Sequence, residues 1–417
     1  MKQPLPRNLS YWIGLVLFAL VGIGPASGQE TDGPSDADRF FPRQGFMLSG
    51  YGGAGYNVLL ADGETPNNFS TIFAPIMLFQ ISDRFLFEGE FEFEIEEGVT
   101  ATDLEYAQID VSLNDHFTVV AGKFLLPFAN FSERFHPTWI NRLPSVPAVY
   151  GSHGAAAAPS DPMLPILSDI GVQLRGAFDL GNFRTITAEV FVTQGPVVAP
   201  DEEEGADGHN DGEPLGAAGK RAAVLGGGGA GGLAFGSNTS DNNDNKMVGG
   251  RFGFSLSPYF EANVSGMTAA YDAAGDLNFS ALALHLEGRH RQFTLHSEFI
   301  RTWQDLLEEE DHEGLAAAKG ASATGPLNEG GVETLSRTGY WVQMAYRHGP
   351  WQPVVRWSQL FDGKAGGETV TDAGRQLAIG LDYWFEPAFV LKLEYLINDE
   401  EVDIDNNRLA LQLAFGF

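Results

Sequence analysis

The chain has 417 residues, with 55 Asp and Glu against 25 Lys and Arg, 51 glycines, 31 phenylalanines and no cysteine. A net charge of −30 excludes nucleic-acid binding through a general basic field. Without cysteine there is no disulfide framework, so a big core or a continuous hydrogen-bonded sheet must hold the fold.

The first predicted element is a signal peptide over 1–28. Lys2 and Arg7 precede an almost wholly apolar run from Tyr11 to Ile23. That run is too short for a membrane span of about 20 residues. Pro25-Ala26-Ser27-Gly28 supplies small residues of the kind a signal peptidase accepts, which makes Gln29 the first mature residue. Export leaves 23 Lys and Arg against the same 55 acids. A short periplasmic segment, 29–43, leads into the first strand. No other run approaches about 18 consecutive apolar residues, which excludes a helical membrane protein on hydropathy.

From residue 44 to 417 the pattern is period two. Phe85, Phe87, Phe91, Phe93 and Ile95 alternate with the carboxylate ladder Glu88, Glu90, Glu92, Glu94 and Glu96. Further on, Tyr340, Val342, Met344 and Tyr346 alternate with Trp341, Gln343, Ala345 and Arg347. At the end Leu409, Leu411, Leu413, Phe415 and Phe417 alternate with Arg408, Ala410, Gln412, Ala414 and Gly416. One side fully apolar and the other small or polar is how a strand reads between lipid and a wet lumen. Strands are predicted at 44–56, 69–80, 84–96, 102–113, 116–126, 169–178, 183–194 and 246–256. Eight more follow at 260–271, 277–287, 292–303, 337–347, 352–360, 375–384, 388–398 and 406–417.

Short connections with turn chemistry, such as Asn114-Asp115 and His348-Gly349-Pro350, alternate with longer ones. This sorting is expected when one rim faces the periplasm and the other the outside. The fold class is therefore all-β, an antiparallel transmembrane barrel of about 16 strands, closed because lipid cannot satisfy an open sheet edge. A soluble secreted β-protein is the rival reading, and detergent-free solubility of the mature chain would establish it.

Three long loops stand out. Pro127 to Ser168 is rich in aromatics and proline and is expected to pack. Gly195 to Asn245, with Glu202-Glu203-Glu204 and the run Gly226 to Gly229, reads as hydrophilic and external. Gln304 to Ser336, with Glu308 to Asp311, reads the same way. The glycine run lacks the Gly-Lys-Ser/Thr ending of a phosphate-cradling loop. Asp311-His312-Glu313 offers ligands for a divalent ion, although a self-repelling solvated loop explains it as well. No HExxH, CxxC or Ser/His/Asp spacing occurs, so neither catalysis nor a cofactor is expected.

The strand pattern, the long loop after the fifth strand and the terminal Phe417 resemble trimeric bacterial porins. More narrowly, Ala121-Gly122-Lys123-Phe124, Leu126-Pro127-Phe128 and Phe131-Ser132-Glu133-Arg134 look like the stretch after the fifth strand in phosphate-selective porins O and P. The resemblance implies a homotrimer in the outer membrane, assembled by the barrel-assembly machinery through the last strand and Phe417. It also implies that the loop from Pro127 to Ser168 folds into the barrel and narrows a pore for passive diffusion of small hydrophilic solutes. In that family, phosphate selectivity depends on a ladder of inward basic residues. Here the inward-parity bases are scattered (Lys123, Arg175, Arg251, Arg347, Arg356, Lys392 and Arg408), so anion preference is not carried over. The expected pore lining is an acidic wall of Glu88, Glu90, Glu92 and Glu94, opposed by Lys123, Arg175, Arg356 and Lys392. Glu133, Arg134 and Arg142 are expected to reach the eyelet from the loop. Interior ion pairs that merely fill the lumen are the alternative for each. A substrate-specific channel for phosphate or sugars, lined by Trp139, Tyr150 and Trp303, and a non-conducting barrel remain as rival readings.

Overall fold

A computed structural model describes residues 45–60, 67–96, 99–151, 162–198, 233–235, 243–307, 332–400 and 406–417. The stretch 1–28 predicted as a signal peptide, the segment 29–43, the acidic and glycine runs of the second and third loops and Asp311-His312-Glu313 lie outside them. Sixteen antiparallel strands form the barrel. They are β1 (Gly45–Leu59), β2 (Asn67–Gln80), β3 (Phe85–Glu96), β4 (Val99–Ser112), β5 (Phe117–Leu125), β6 (Ser168–Gly181), β7 (Arg184–Thr193) and β8 (Met247–Ser257). The second half comprises β9 (Phe260–Ala270), β10 (Asn278–His290), β11 (Phe293–Leu307), β12 (Val332–Tyr346), β13 (Trp351–Leu360), β14 (Gly374–Glu386), β15 (Phe389–Glu400) and β16 (Arg408–Gly416). A small hairpin, Gly363–Ala365 with Glu368–Thr371, extends the sheet where Lys364 pairs with Ser336 of β12.

Each strand pairs with its neighbour in sequence, and β1 pairs with β16 from Tyr51↔Gly416 to Leu59↔Arg408. Beyond that ladder Gly50 and Phe417 exchange backbone hydrogen bonds of 3.0 and 2.9 Å. The sheet has no free edge, which is the condition for strands in hydrocarbon. Among the described residues no helix is long and apolar enough to cross a membrane.

Period two now acquires its two solvents. Phe73, Phe87, Phe93, Leu284, Phe299, Ile379, Leu393 and Leu411 are exposed on the outside. Their strand neighbours Ala74, Glu92, His285, Glu298, Ala378, Lys392 and Ala410 are buried inside. An outer surface this apolar would be an aggregation surface in water and is a lipid-facing belt in a bilayer.

The tight turns lie at one end of the barrel and carry the expected chemistry. Asn114 Oδ1 accepts hydrogen bonds from the backbone of His116 and Phe117 at 2.8 and 3.0 Å. At the β6–β7 turn Gly181, Asn182 and Phe183 all have positive φ, which suits the right-handed twist of a tight hairpin.

Strict alternation of short and long connections fails once. Only residues 97 and 98 separate β3 from β4, because pairing continues up to Glu96↔Val99. The β-favouring run Val99-Thr100-Ala101-Thr102 carries the ladder past the point where the sequence pattern predicts it to end. Between Glu90 and Phe91 the β3–β4 register also shifts, so that Glu105 is the extra residue of a bulge.

Candidate pore constriction

The described parts of the connection between β5 and β6, 126–151 and 162–167, do not leave the barrel; they fold into the lumen. Its opening Leu126-Pro127-Phe128 follows β5 directly, and one short π-helical turn (Phe131–Phe135) directs successive side chains in different directions. Phe128, Phe131, Val149, Tyr150, Met163 and Leu164 form a core with the inward residues Phe124, Phe191, Phe279, Ile300 and Trp341 of the wall. Full burial of each such side chain contributes roughly 1.5–3 kcal/mol. Further round, Trp139 packs on Tyr51, Ile76, Val390 and Ala414, and Leu143 packs with Val354, Ala378 and Leu396. A loop with this composition is part of the core, which explains its aromatic and proline content.

Polar anchors fix the loop at intervals. Arg251 of β8 reaches Glu133 at 2.5 Å and Glu189 at 2.9 Å, and donates to Ala129 O at 2.9 Å. Next to Glu133, Arg134 takes the opposite partner, Glu261 of β9, at 2.6 Å. Lys392 of β15 donates to Asn141 O at 2.6 Å, to Gln412 at 3.0 Å and to Thr138 O. Arg356 of β13 donates to the carbonyls of Ser145 and Val146, both at 2.8 Å. Glu394 accepts from the Ser145 amide at 2.8 Å and from its hydroxyl. On β11, Glu298 accepts from loop amides and side chains.

The second wall, β3–β4, is different. Glu90 and Glu92 are 2 % and 1 % exposed, and Tyr51 of β1 donates to Glu92 at 3.4 Å. Glu105 joins them because of the bulge, and Tyr106 stands opposite Glu90 in the ladder. The charged groups acting most strongly on Glu90 are Glu105 and Glu92, both of its own sign. A step along the same wall, Glu88 lies among Asp110 and Arg175, and Arg175 is 3.4 Å from Asp110. Glu94 is half-buried opposite Ile72 and Ala101.

The predicted lining residues therefore fall into three groups. Glu88, Glu90, Glu92, Glu94 and Arg175 share the β3–β6 wall. Glu133 and Arg134 are tied to β8 and β9, and Arg356 and Lys392 lie fully buried under the loop. Arg142 sits half-buried on the loop, within the electrostatic influence of Asp382, Glu287 and Arg289. Lys123 is 3.9 Å from Asp103, which stands opposite Glu92 in the β3–β4 ladder. Gly122, with φ of +123°, interrupts the regular pleat beside it.

Trp139 and Tyr150 are buried in the loop packing. Trp303 lies on the outward face, with Arg301 5.2 Å over its ring. Sequence reasoning did not single out Glu105, Glu189, His285 or Asp382. For Glu105 a signal exists: Asp103, Glu105 and Asp110 cannot share one face at period two without a bulge.

No protein-family model matches the chain, and no curated protein matches it. Solved structures do. The anion-selective porin of Comamonas acidovorans aligns with a TM-score of 0.52 at 11% identity, covering 90% of this chain and 100% of that one. OmpF of Salmonella typhi, in complex with daunomycin, aligns at 0.52 with 11% identity over 89% and 97%. The outer-membrane channel DcaP of Acinetobacter baumannii aligns at 0.52 with 9% identity over 90% and 98%. At such identities the likeness is one of architecture: this chain has the porin fold, a closed 16-stranded antiparallel barrel with a long loop folded inside.

Proposed function

We propose that the chain is an outer-membrane channel through which small hydrophilic solutes or ions diffuse passively, past a constriction set by the loop 126–167. The observation that carries this reading is the loop itself, packed inside a closed barrel and facing a wall of carboxylates. Export through the signal peptide 1–28, assembly through β16 and Phe417, and a homotrimeric state belong to the same proposal. The solved structures of similar fold support an outer-membrane location.

The charge preference follows from the disposition of the inward groups. Arg356 and Lys392 are desolvated behind the loop and hydrogen-bonded to its carbonyls, whereas Glu88, Glu90, Glu92 and Glu94 share one wall. Carboxylates gathered on one wall of a lumen favour cations. This departs from the phosphate selectivity of the porin O and P family. A single-channel recording in a salt gradient tests the proposal: conductance with a cation-favouring reversal potential is expected. If Glu90→Gln with Glu92→Gln leaves that potential unchanged, the acidic wall is not the selectivity element.

A second reading has its own observation. Glu90, Glu92, Gln173, Arg356, Asp382 and Lys392 are nearly all withdrawn from solvent, which favours a very narrow or plugged barrel. Absence of conductance in planar bilayers would decide for it.

A further inference from the structure

The geometry points to Glu298 as the positioning residue of the constriction: one wall carboxylate that clasps both arms of the loop 126–167 and so sets the bore of the channel. The inference rests on the proposed channel function and goes beyond it, because it assigns the bore to a residue that is not on the loop.

Glu298 lies near the middle of β11 with a side chain wholly withdrawn from solvent. Its Oε1 accepts from the backbone amides of Asn130 at 2.7 Å and Phe131 at 2.9 Å, and lies 3.1 Å from His285 Nδ1. Its Oε2 accepts from the Tyr150 hydroxyl at 2.7 Å and from Trp341 Nε1 at 3.0 Å. An ionised carboxylate offers about four lone-pair positions, and here four donors and the His285 ring nitrogen converge on two oxygens. Asn130 and Phe131 belong to the outgoing arm of the loop, Tyr150 to its returning part, and His285 and Trp341 to the neighbouring strands β10 and β12.

The arrangement differs in kind from the other anchors. Arg251 holds the stretch around residues 129–133, Lys392 holds 138–141, and Arg356 with Glu394 hold 145–146. Each fixes one stretch to one place. Glu298 joins two stretches 19 or 20 residues apart to each other as well as to the wall, and Phe131 stacks on Tyr150 at 5.0 Å directly beside it. Releasing it lets the arms separate while the remaining anchors still hold the loop inside the barrel. Charge-assisted hydrogen bonds in a dry site are roughly twice as strong as neutral ones, so the loss is large for one substitution.

The partners also predict how substitutions rank. In Glu298→Ala both arms lose their common acceptor. In Glu298→Gln one oxygen still serves the amides of Asn130 and Phe131. The new NH2 then faces the Tyr150 hydroxyl, which can turn to accept, and Trp341 Nε1–H, which cannot. Tyr150→Phe keeps the ring and its stack but removes the bond from the returning arm.

The test is single-channel recording of the full-length protein in planar bilayers. Loss of one charge-assisted bond corresponds to roughly a 10- to 100-fold larger population with the loop arm released. Glu298→Ala and Tyr150→Phe are expected to show discrete steps to a larger conductance that the wild type visits at least about 10-fold less often. Glu298→Gln is expected to fall between the wild type and Glu298→Ala, and Arg375→Ala, at an exposed ion pair away from the clasp, to conduct like the wild type. Should Glu298→Ala fail to assemble, Tyr150→Phe against Arg375→Ala carries the test, since both keep Glu298. Wild-type conductance in Tyr150→Phe, or an equal change in Arg375→Ala, overturns the clasp. A silent wild type would overturn the channel reading instead.

Discussion

Two walls of one lumen, built from strands with the same inward parity, treat their charges in opposite ways. On the side of β8, β9, β13 and β15, each charge meets an opposite charge or a polar group of the loop: Arg251 between Glu133 and Glu189, Arg134 on Glu261, Lys392 on two carbonyls, Glu394 on Ser145. On the β3–β4 side Glu90, Glu92 and Glu105 are gathered with two tyrosines and repel one another. Inward charge therefore means two things in this barrel. Where the loop supplies partners it is structural cement, and where carboxylates face one another it is a field.

The contrast predicts opposite signs of effect. The largest is expected at Arg251→Ala, which leaves Glu133 and Glu189 buried without their common base and costs about 3–5 kcal/mol. Urea unfolding in detergent micelles measures it, and a loss below about 1 kcal/mol would dissolve the distinction between the walls. Lys392→Met comes next: the carbonyls of Thr138 and Asn141 lose their donor, at about 2–3 kcal/mol in the same assay. The pair Glu90→Gln and Glu92→Gln should move the other way. Replacing mutually repelling buried carboxylates by neutral groups is expected to raise stability by on the order of 1 kcal/mol while the reversal potential moves toward zero. The smallest effect belongs to the exposed pair Arg375 and Asp399, 3.5 Å apart with side chains 57% and 68% exposed. Arg375→Ala should change stability by less than about 0.5 kcal/mol, which makes it the reference against which the others are read.

Much of the fold was legible because period two is a local property. Each of the sixteen predicted strands is present, most ends lie within a few residues of the sequence boundaries, and Phe417 closes the last ladder onto β1. The exceptions are also local. β12 begins earlier than its pattern suggests, and the bulge at Glu105 hides in a strand whose polar residues do not alternate cleanly.

The constriction was legible in part. Proline and aromatics announced that the loop packs, and the carboxylate ladder announced the acidic wall. What could not be read was which inward charges the loop would consume. Ser145 and Glu394 are 249 residues apart and Asn130 and Glu298 are 168 apart. Nothing in either neighbourhood marks the other. Such partners are fixed only when the barrel closes and brings β11 and β15 around a loop that left the wall after β5.

The seam between β1 and β16 has a consequence for how the molecule is made. Until those two ladders zip together, Tyr51 to Leu59 and Arg408 to Gly416 present rows of bare amides and carbonyls, each costing several kcal/mol in hydrocarbon. A half-inserted intermediate is thus hostile to the bilayer, and the first and last strands must meet before, or as, the cylinder enters. The joining event spans nearly all of the described residues, the slowest kind of contact a chain can make.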